Sequence, residues 1–332
     1  MAHFTRDVAR STHVSGLLFA LTAAAAFGLA GTLARGLMDL GWSAGAATLA
    51  RTTISAATLA PATIWSMRGQ WRVLRTAWPT VLVFGIFAVA GAQYFYFMSV
   101  QRLDVGVALL IEYLAPLGVV AWMWLSRGQR PTRLTLAGAA VAFAGLIALL
   151  DFTGGAVDMV GVTWALAAMV GATIYYVVGG NTELGMPPVA LAGGGLTVAA
   201  AVMALAAVTG IVPISTATGT VQFNTAAIPW WLALVVLGVI TSALAYFAGI
   251  EATRRLGSRL ASFVALIEVL AASGFAWVLL GQAFSPMQWL GATLVLAGVV
   301  VVKLGEPTAD APDDAPLSLP AAAPHAHPEP AR

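Results

Sequence analysis

Charge is what this chain has least of. Of its 332 residues only 9% are Asp, Glu, Lys or Arg, while 60% are hydrophobic. Soluble domains carry about 25% charged residues, so this chain cannot clothe a water-facing surface. Cysteine is absent, which excludes disulfides, thiolate metal sites and cysteine nucleophiles. Histidine occurs only at His3, His13, His325 and His327, outside every long apolar stretch, so intramembrane His bases and metal ligands are missing. Neither an H-E-x-x-H zinc motif nor a Walker A lysine is present. The residues Gly41 to Gly45 fit G-x-S-x-G, but with no preceding strand and no histidine partner they are no nucleophile elbow. These absences argue against an enzyme and an ATP-driven pump. No catalytic residue, cofactor or metal is expected.

What is present is a series of apolar stretches, each near the 20 residues a helix needs to cross a bilayer core. Ten spans are expected, at residues 14–36, 43–66, 77–100, 104–125, 132–150, 158–179, 187–209, 228–250, 256–280 and 285–303. Gly and Pro punctuate them at Gly41, Gly69, Pro131, Gly154-Gly155, Pro187-Pro188, Gly281 and Pro286. The first run is too long for a signal h-region and reads as a retained helix. The longest loop, about 210–227, carries no charge, and the tail from 304 to 332 is rich in Pro, Ala and acid, a mix that buries no core.

The cations set an orientation. With residues 1–13 in the cytoplasm, twelve Lys or Arg fall on inside segments, among them Arg68, Arg72, Arg75, Arg127, Arg130 and Arg133, and two, Arg35 and Arg102, on outside loops. That is a positive-inside bias, which places both termini in the cytoplasm. It also accounts for a pI of about 9.2 without nucleic acid, because the arginines sit in short loops between spans.

A shift of 153 residues aligns the chain with itself. Trp78 falls on Trp231, Gly85 on Gly238, Arg102-Leu103 on Arg255-Leu256, Trp124 on Trp277, Gly128-Gln129 on Gly281-Gln282, Gly138 on Gly291 and Gly145 on Gly298. The repeat unit holds five spans, residues 14–150 and 158–303. An odd number forces the second half to enter the membrane from the opposite side. The expected fold is therefore an all-α membrane protein of ten transmembrane helices in two inverted five-helix repeats. In such architectures substrate sites lie near mid-membrane, where the repeats meet.

The stretch LDVGVALLIEYLAPLGVVAWMWLSRGQRP and its partner LGSRLASFVALIEVLAASGFAWVLLGQAFSPMQWLGATLVLAG resemble the EamA-type branch of the drug/metabolite transporter superfamily. The resemblance covers residues 14–303 and implies a two-times-five-helix transporter of amino acids, nucleobases, metabolites or drugs. Two departures stand out. Gly128-Gln129 and Gly281-Gln282 replace the family's Gly-Glu, and its Glu-Pro pair is split, with Pro116 following Ala115 in one half and Glu268 preceding Val269 in the other. The segment VALLIEYLAP is similar to members that export threonine and homoserine.

Few charges lie deep in the spans. Each costs roughly 2.5–3.5 kcal/mol to insert, so such residues face protein or water and mark pathways. The candidates are Arg51, Glu112 and Glu268. At about 1.5 Å per residue, Arg51 and Glu112 reach roughly 12–14 Å from the outer end and Glu268 about 18 Å, so one layer accommodates all three. Arg51 is expected to bind a carboxylate, from substrate or from Glu112, and Glu112 or Glu268 an ammonium group or a coupling proton. The plainer alternative is an Arg51–Glu112 ion pair that fastens two helices. Gln93, Tyr94, Tyr175 and Tyr246 are candidate cavity residues. Trp42, Trp71, Trp230 and Trp231 read as interface anchors, and the paired glycines as close helix contacts.

The function expected is secondary active transport in a cell (inner or plasma) membrane, with export of amino acids or related zwitterions favoured. Efflux of hydrophobic or cationic drugs is the rival within that class, a channel or non-transporting sensor the rival outside it. The partners are the bilayer, a small-molecule substrate and protons, with a homodimer allowed.

Overall fold

Glycine at positive φ and proline at helix starts divide the apolar sequence into rods. A computed structural model describes residues 2–128, 130–150, 158–179, 185–249, 251–252, 255 and 266–305. The expected tail from 306 on and the 256–265 start of the ninth span lie outside the described residues. In chain order the helices are α1 (Ala2–Leu40), α2 (Ala44–Ser66), α3 (Trp71–Val100), α4 (Val105–Glu112), α5 (Ala115–Arg127), α6 (Arg133–Leu150), α7 (Met159–Gly179), α8 (Pro188–Val208), α9 (Trp230–Gly249), α10 (Ile267–Leu280) and α11 (Pro286–Gly305). Gly128 (φ 66°) and Gly281 (φ 73°) end α5 and α10 in the left-handed conformation, which costs glycine least. They are equivalent residues of the repeat.

Among the described residues seven stretches are long and apolar enough to cross a membrane: α1 from Val14, α3, α4 with α5, α6, α8, α9 and α11. Helices α7 and α10 contain shorter apolar segments, Met159–Tyr175 and Ile267–Leu280. Helix α2 is long but carries Thr, Ser and Arg51 along one face, which it buries against α8 and α9.

Helix α1 runs from Ala2, and its apolar span begins at Val14, as expected, and extends to Leu40. The structure differs from expectation in three places. Helix α3 starts at Trp71, directly after the turn at Gly69 (φ 78°). The fourth span is interrupted: α4 ends at Glu112, Tyr113 and Leu114 turn, and α5 restarts with Pro116 in its first turn, where a missing N–H costs no hydrogen bond. The uncharged loop holds an antiparallel hairpin, β1 (Thr220–Gln222) and β2 (Ala227–Pro229). Val221 and Phe223 of the hairpin lie against Gly36 of α1, so the loop is a packed cap over that end of the bundle. Trp42 belongs to this cap. It is buried, stacked on Trp230 at 5.7 Å, with its indole N–H donated to the Ala217 carbonyl at 2.8 Å, so it anchors protein to protein. Trp71 and Trp231 stay half exposed.

The two halves meet along α6 and α11. A methyl group added at Gly138 would reach the Val302 nitrogen and the Gly298 carbonyl, and one at Gly291 the Leu149 nitrogen and the Gly145 carbonyl. Likewise Gly145 faces Val295 and Gly298 faces Ala142. Each contact maps onto its counterpart under the 153-residue shift, with the two helices antiparallel. A self-complementary contact of this kind is what a two-fold axis generates. The same shift relates two π-helical stretches, Phe84–Gly91 in α3 and Val236–Leu244 in α9. There Gly85 lies against Val198 of α8, and Gly238 against Ile54 of α2.

Candidate functional site

Arg51 lies two turns into α2 and is only 4% exposed. Small residues let it in: Ser55, one turn on, donates to both the Arg51 carbonyl (2.6 Å) and the Gly238 carbonyl (2.9 Å), binding α2 to α9. The guanidinium spends Nη2 on the Thr241 carbonyl at 2.9 Å, inside the π-helical stretch of α9, and sits 5.5 Å from the Phe97 ring centroid, a cation–π distance. Among the described residues its Nε–H has no partner. Among the described residues Arg51 forms no ion pair, so the Arg51–Glu112 fastening pair is not the arrangement found.

Both acids lie in the same layer. Glu112 ends α4 at the helix break, and Glu268 stands in the first turn of α10. Arg51 is within electrostatic reach of both, and of Tyr96 and Tyr246. Glu268 is held across the halves: the Tyr113 hydroxyl donates to its Oε2 at 2.7 Å. Among the described residues no donor reaches the Glu112 carboxylate. Helix α1 allows the approach because Gly28 faces the Glu268 carbonyl and Gly31 faces the Tyr96 hydroxyl.

Gln93 and Tyr246 are equivalent residues of the repeat, and the fold brings them together. Each is 8% exposed. The Gln93 amide lies beside the Tyr246 hydroxyl, yet neither amide atom has a hydrogen bond of good geometry. Buried amides normally find partners, so this pair, with Arg51 Nε and the hydroxyls of Thr32, Ser99 and Ser242, which have no partner among the described residues, marks a polar interior with donors and acceptors to spare. Aromatic rings wall it: Tyr246 packs edge-on to Phe27 at 5.2 Å and lies 6.3 Å from Tyr175, which meets Phe84 at 5.6 Å.

Of the sequence candidates, Arg51, Glu112, Glu268, Gln93 and Tyr246 thus share one layer, and Tyr175 joins its aromatic wall. Tyr94 stands apart, its ring against Phe95, which stacks on Trp164. Two participants escaped the sequence reading, Tyr113 and the main-chain carbonyl of Thr241. In an unbroken helix Tyr113 would point about 100° away from Glu112, so only the break reveals it. An open polar cavity of about 510 Å³, lined by Arg35, Met38, Asp39, Gln101, Arg102 and Asp158, lies at the end of α1 and is separate from this layer.

A polytopic helical bundle with internal two-fold symmetry and an unsatisfied polar layer at its centre is the build of a membrane transporter. Residues 14–150 and 159–304 each match the EamA-like transporter family, and the chain belongs to that family. It is 23% identical over 233 residues, 68% of this chain and 73% of the relative, to the "Uncharacterized inner membrane transporter YicL" of Salmonella typhimurium. A protein crystal structure is similar with a TM-score of 0.58 and 25% identity, covering 89% of this chain and 98% of that one.

Proposed function

We propose that this chain is an inner-membrane exporter of amino acids or related zwitterions, working by alternating access between two inverted halves and coupled to protons. The ten-span arrangement with both termini in the cytoplasm is part of this reading and rests on the arginine distribution. The carrying observation is Arg51, a buried guanidinium that, among the described residues, has no partner for its Nε–H and no carboxylate paired to it. A charge at that depth is retained only where something repays its burial. A substrate carboxylate supplies the missing counter-charge, while Glu112 and Glu268, in the same layer, receive the substrate ammonium and the proton. A hydrophobic cation would use the acids and aromatics but leave Arg51 repelling it, which ranks drug efflux second.

The test is uptake of a labelled mixture of neutral amino acids into inverted vesicles and proteoliposomes, with and without a proton gradient. Gradient-stimulated uptake is expected for the parent protein. Arg51→Gln should abolish it at unchanged membrane levels, with Arg51→Lys retaining a part. Full uptake by Arg51→Gln would end the carboxylate assignment. Flux of hydrophobic cations without amino acids would replace the substrate class.

A further inference from the structure

The two acids of the layer are not copies of one another. Under the 153-residue shift Glu112 falls on Ala265, Glu268 on Ala115 and Tyr113 on Leu266. The duplication that produced the glycine contacts and the Gln93–Tyr246 pair therefore gave these acids no common role. Their surroundings differ as well. Glu268 sits in the first turn of α10 and accepts the Tyr113 hydroxyl at 2.7 Å. Both features support a standing negative charge, since the first turn of a helix is its electropositive end. Glu112 is the last residue of α4, at the electronegative end, and no donor among the described residues reaches it.

Charge counting adds a second line. Arg51 with two carboxylates leaves the layer one negative charge in excess, and a zwitterion brings none. Neutrality in a low-dielectric interior, where an uncompensated charge is costly, then calls for one proton. The groups facing Glu112 are Glu268 on α10, Arg51 on α2, Tyr96 on α3 and Tyr246 on α9. Helices α1, α6 and α7 also pack on α4 but have no charged residue between Val14 and Ala34, between Leu134 and Leu150 or between Met159 and Gly179. Tyr and Arg do not exchange protons near neutrality, so Glu268 is the competitor for the proton, and Tyr113 engages it.

We propose a division of labour, resting on the zwitterion reading above: Glu268, positioned by Tyr113, is the fixed anion that receives the substrate ammonium, and Glu112 is the carboxyl that exchanges the coupling proton. On one side of the membrane a water-borne proton adds to a Glu112 oxygen. On the other the O–H bond breaks, its electron pair stays on the carboxylate, and the proton returns to water. One proton moves per substrate. Tyr113 is a positioning residue, joining the break in α4–α5 of one half to α10 of the other, so that occupancy of Glu268 bears on the segment that carries Glu112.

The experiment uses purified full-length protein in liposomes, with the labelled neutral amino acid mixture as probe, and two readouts: counterflow exchange across pH, and accumulation driven by an imposed proton gradient. Size-exclusion profiles confirm that each variant is folded. Glu112→Gln should keep counterflow, lose its pH dependence and lose gradient-driven accumulation. Glu268→Gln should lose counterflow itself. Tyr113→Phe should raise the counterflow KM about tenfold, as expected for losing one hydrogen bond to a charged group, with the pH profile of the parent. Reversed behaviour of the two Gln variants, equal loss of counterflow in both, or an unchanged KM in Tyr113→Phe would overturn the division while leaving the zwitterion site standing. A parent protein that moves no amino acid, or is indifferent to the gradient, would overturn the underlying reading.

Discussion

Replacing Gly145 by alanine tests whether the halves are held together by direct backbone contact. The new methyl carbon would stand 2.5 Å from the Val295 nitrogen, 2.8 Å from Leu294 Cβ and 2.9 Å from the Gly291 carbonyl. Comfortable carbon contacts are about 3.5–4.0 Å, so α6 and α11 must separate by about 1 Å. Two of the three obstructing atoms are main-chain atoms and cannot rotate aside. Overpacking costs about 1–3 kcal/mol, and the upper end applies here. Alanine's better helix propensity returns about 1 kcal/mol, leaving a net loss of about 2 kcal/mol. Gly274 in α10 is the matched control, because a methyl group there meets no atom within 4 Å, so only the propensity gain remains. Thermal unfolding in detergent, followed through the fluorescence of the 11 tryptophans, should show a lowered midpoint for Gly145→Ala and a parental or raised one for Gly274→Ala. Adding Gly298→Ala, the equivalent substitution, should cost less than it does alone, since the gap is already open. If Gly145→Ala unfolds at or above the parental midpoint, the close-packed seam is refuted.

Two further substitutions probe the ends of helices. Asp158 begins α7, accepting the Gly161 and Val160 amides, and pairs with Arg102 at 3.0 Å. These contacts, the Gly161 amide foremost, hold its carboxyl below the usual range. Its stabilising contribution is therefore present above ordinary carboxylate pH and is lost as pH falls through the lowered value. Asp158→Asn should lower the unfolding midpoint at pH 7 and should no longer differ from the parent at strongly acidic pH. Gln282 accepts the Val105 amide at 3.0 Å, capping α4 from the opposite half. Gln282→Ala should cost about 1 kcal/mol, the usual value of a cap, seen as faster amide exchange in the first turn of α4.

Much of the architecture was legible because membrane helices announce themselves by length and by their punctuation. Gly281 ends α10 and Gly69 turns the chain between α2 and α3 where the sequence suggested, and the glycines aligned by the shift, Gly138 and Gly145 with Gly291 and Gly298, line the seam between α6 and α11. Arg51, Glu112 and Glu268 stood out because charge in an apolar run is conspicuous. What escaped detection depends on the backbone. The partner of Arg51 is a peptide carbonyl, which no residue type advertises. The π-helical stretches arise from a shifted hydrogen-bond pattern in ordinary apolar sequence. Tyr113 reaches Glu268 only because the helix breaks beside it, and the fall of Pro116 in the next turn is a weak sign of that. By sequence Trp42 reads as a lipid-interface anchor, since an aromatic at a helix end usually lies there; the folded loop over it buries it instead.

The glycine seam between α6 and α11 also imposes a timetable on synthesis. Helix α6 is complete once residue 150 has been made, but its partner is finished only at residue 305. At about 5–20 residues per second the first half waits roughly eight to thirty seconds with a bare strip of backbone along α6 facing lipid. During that interval the glycine groove is open to any helix that fits it, including α6 of another nascent chain. Crowded expression should therefore favour crossed pairs of half-made chains, and a pause placed after residue 150 should worsen the yield while one placed after residue 305 should not.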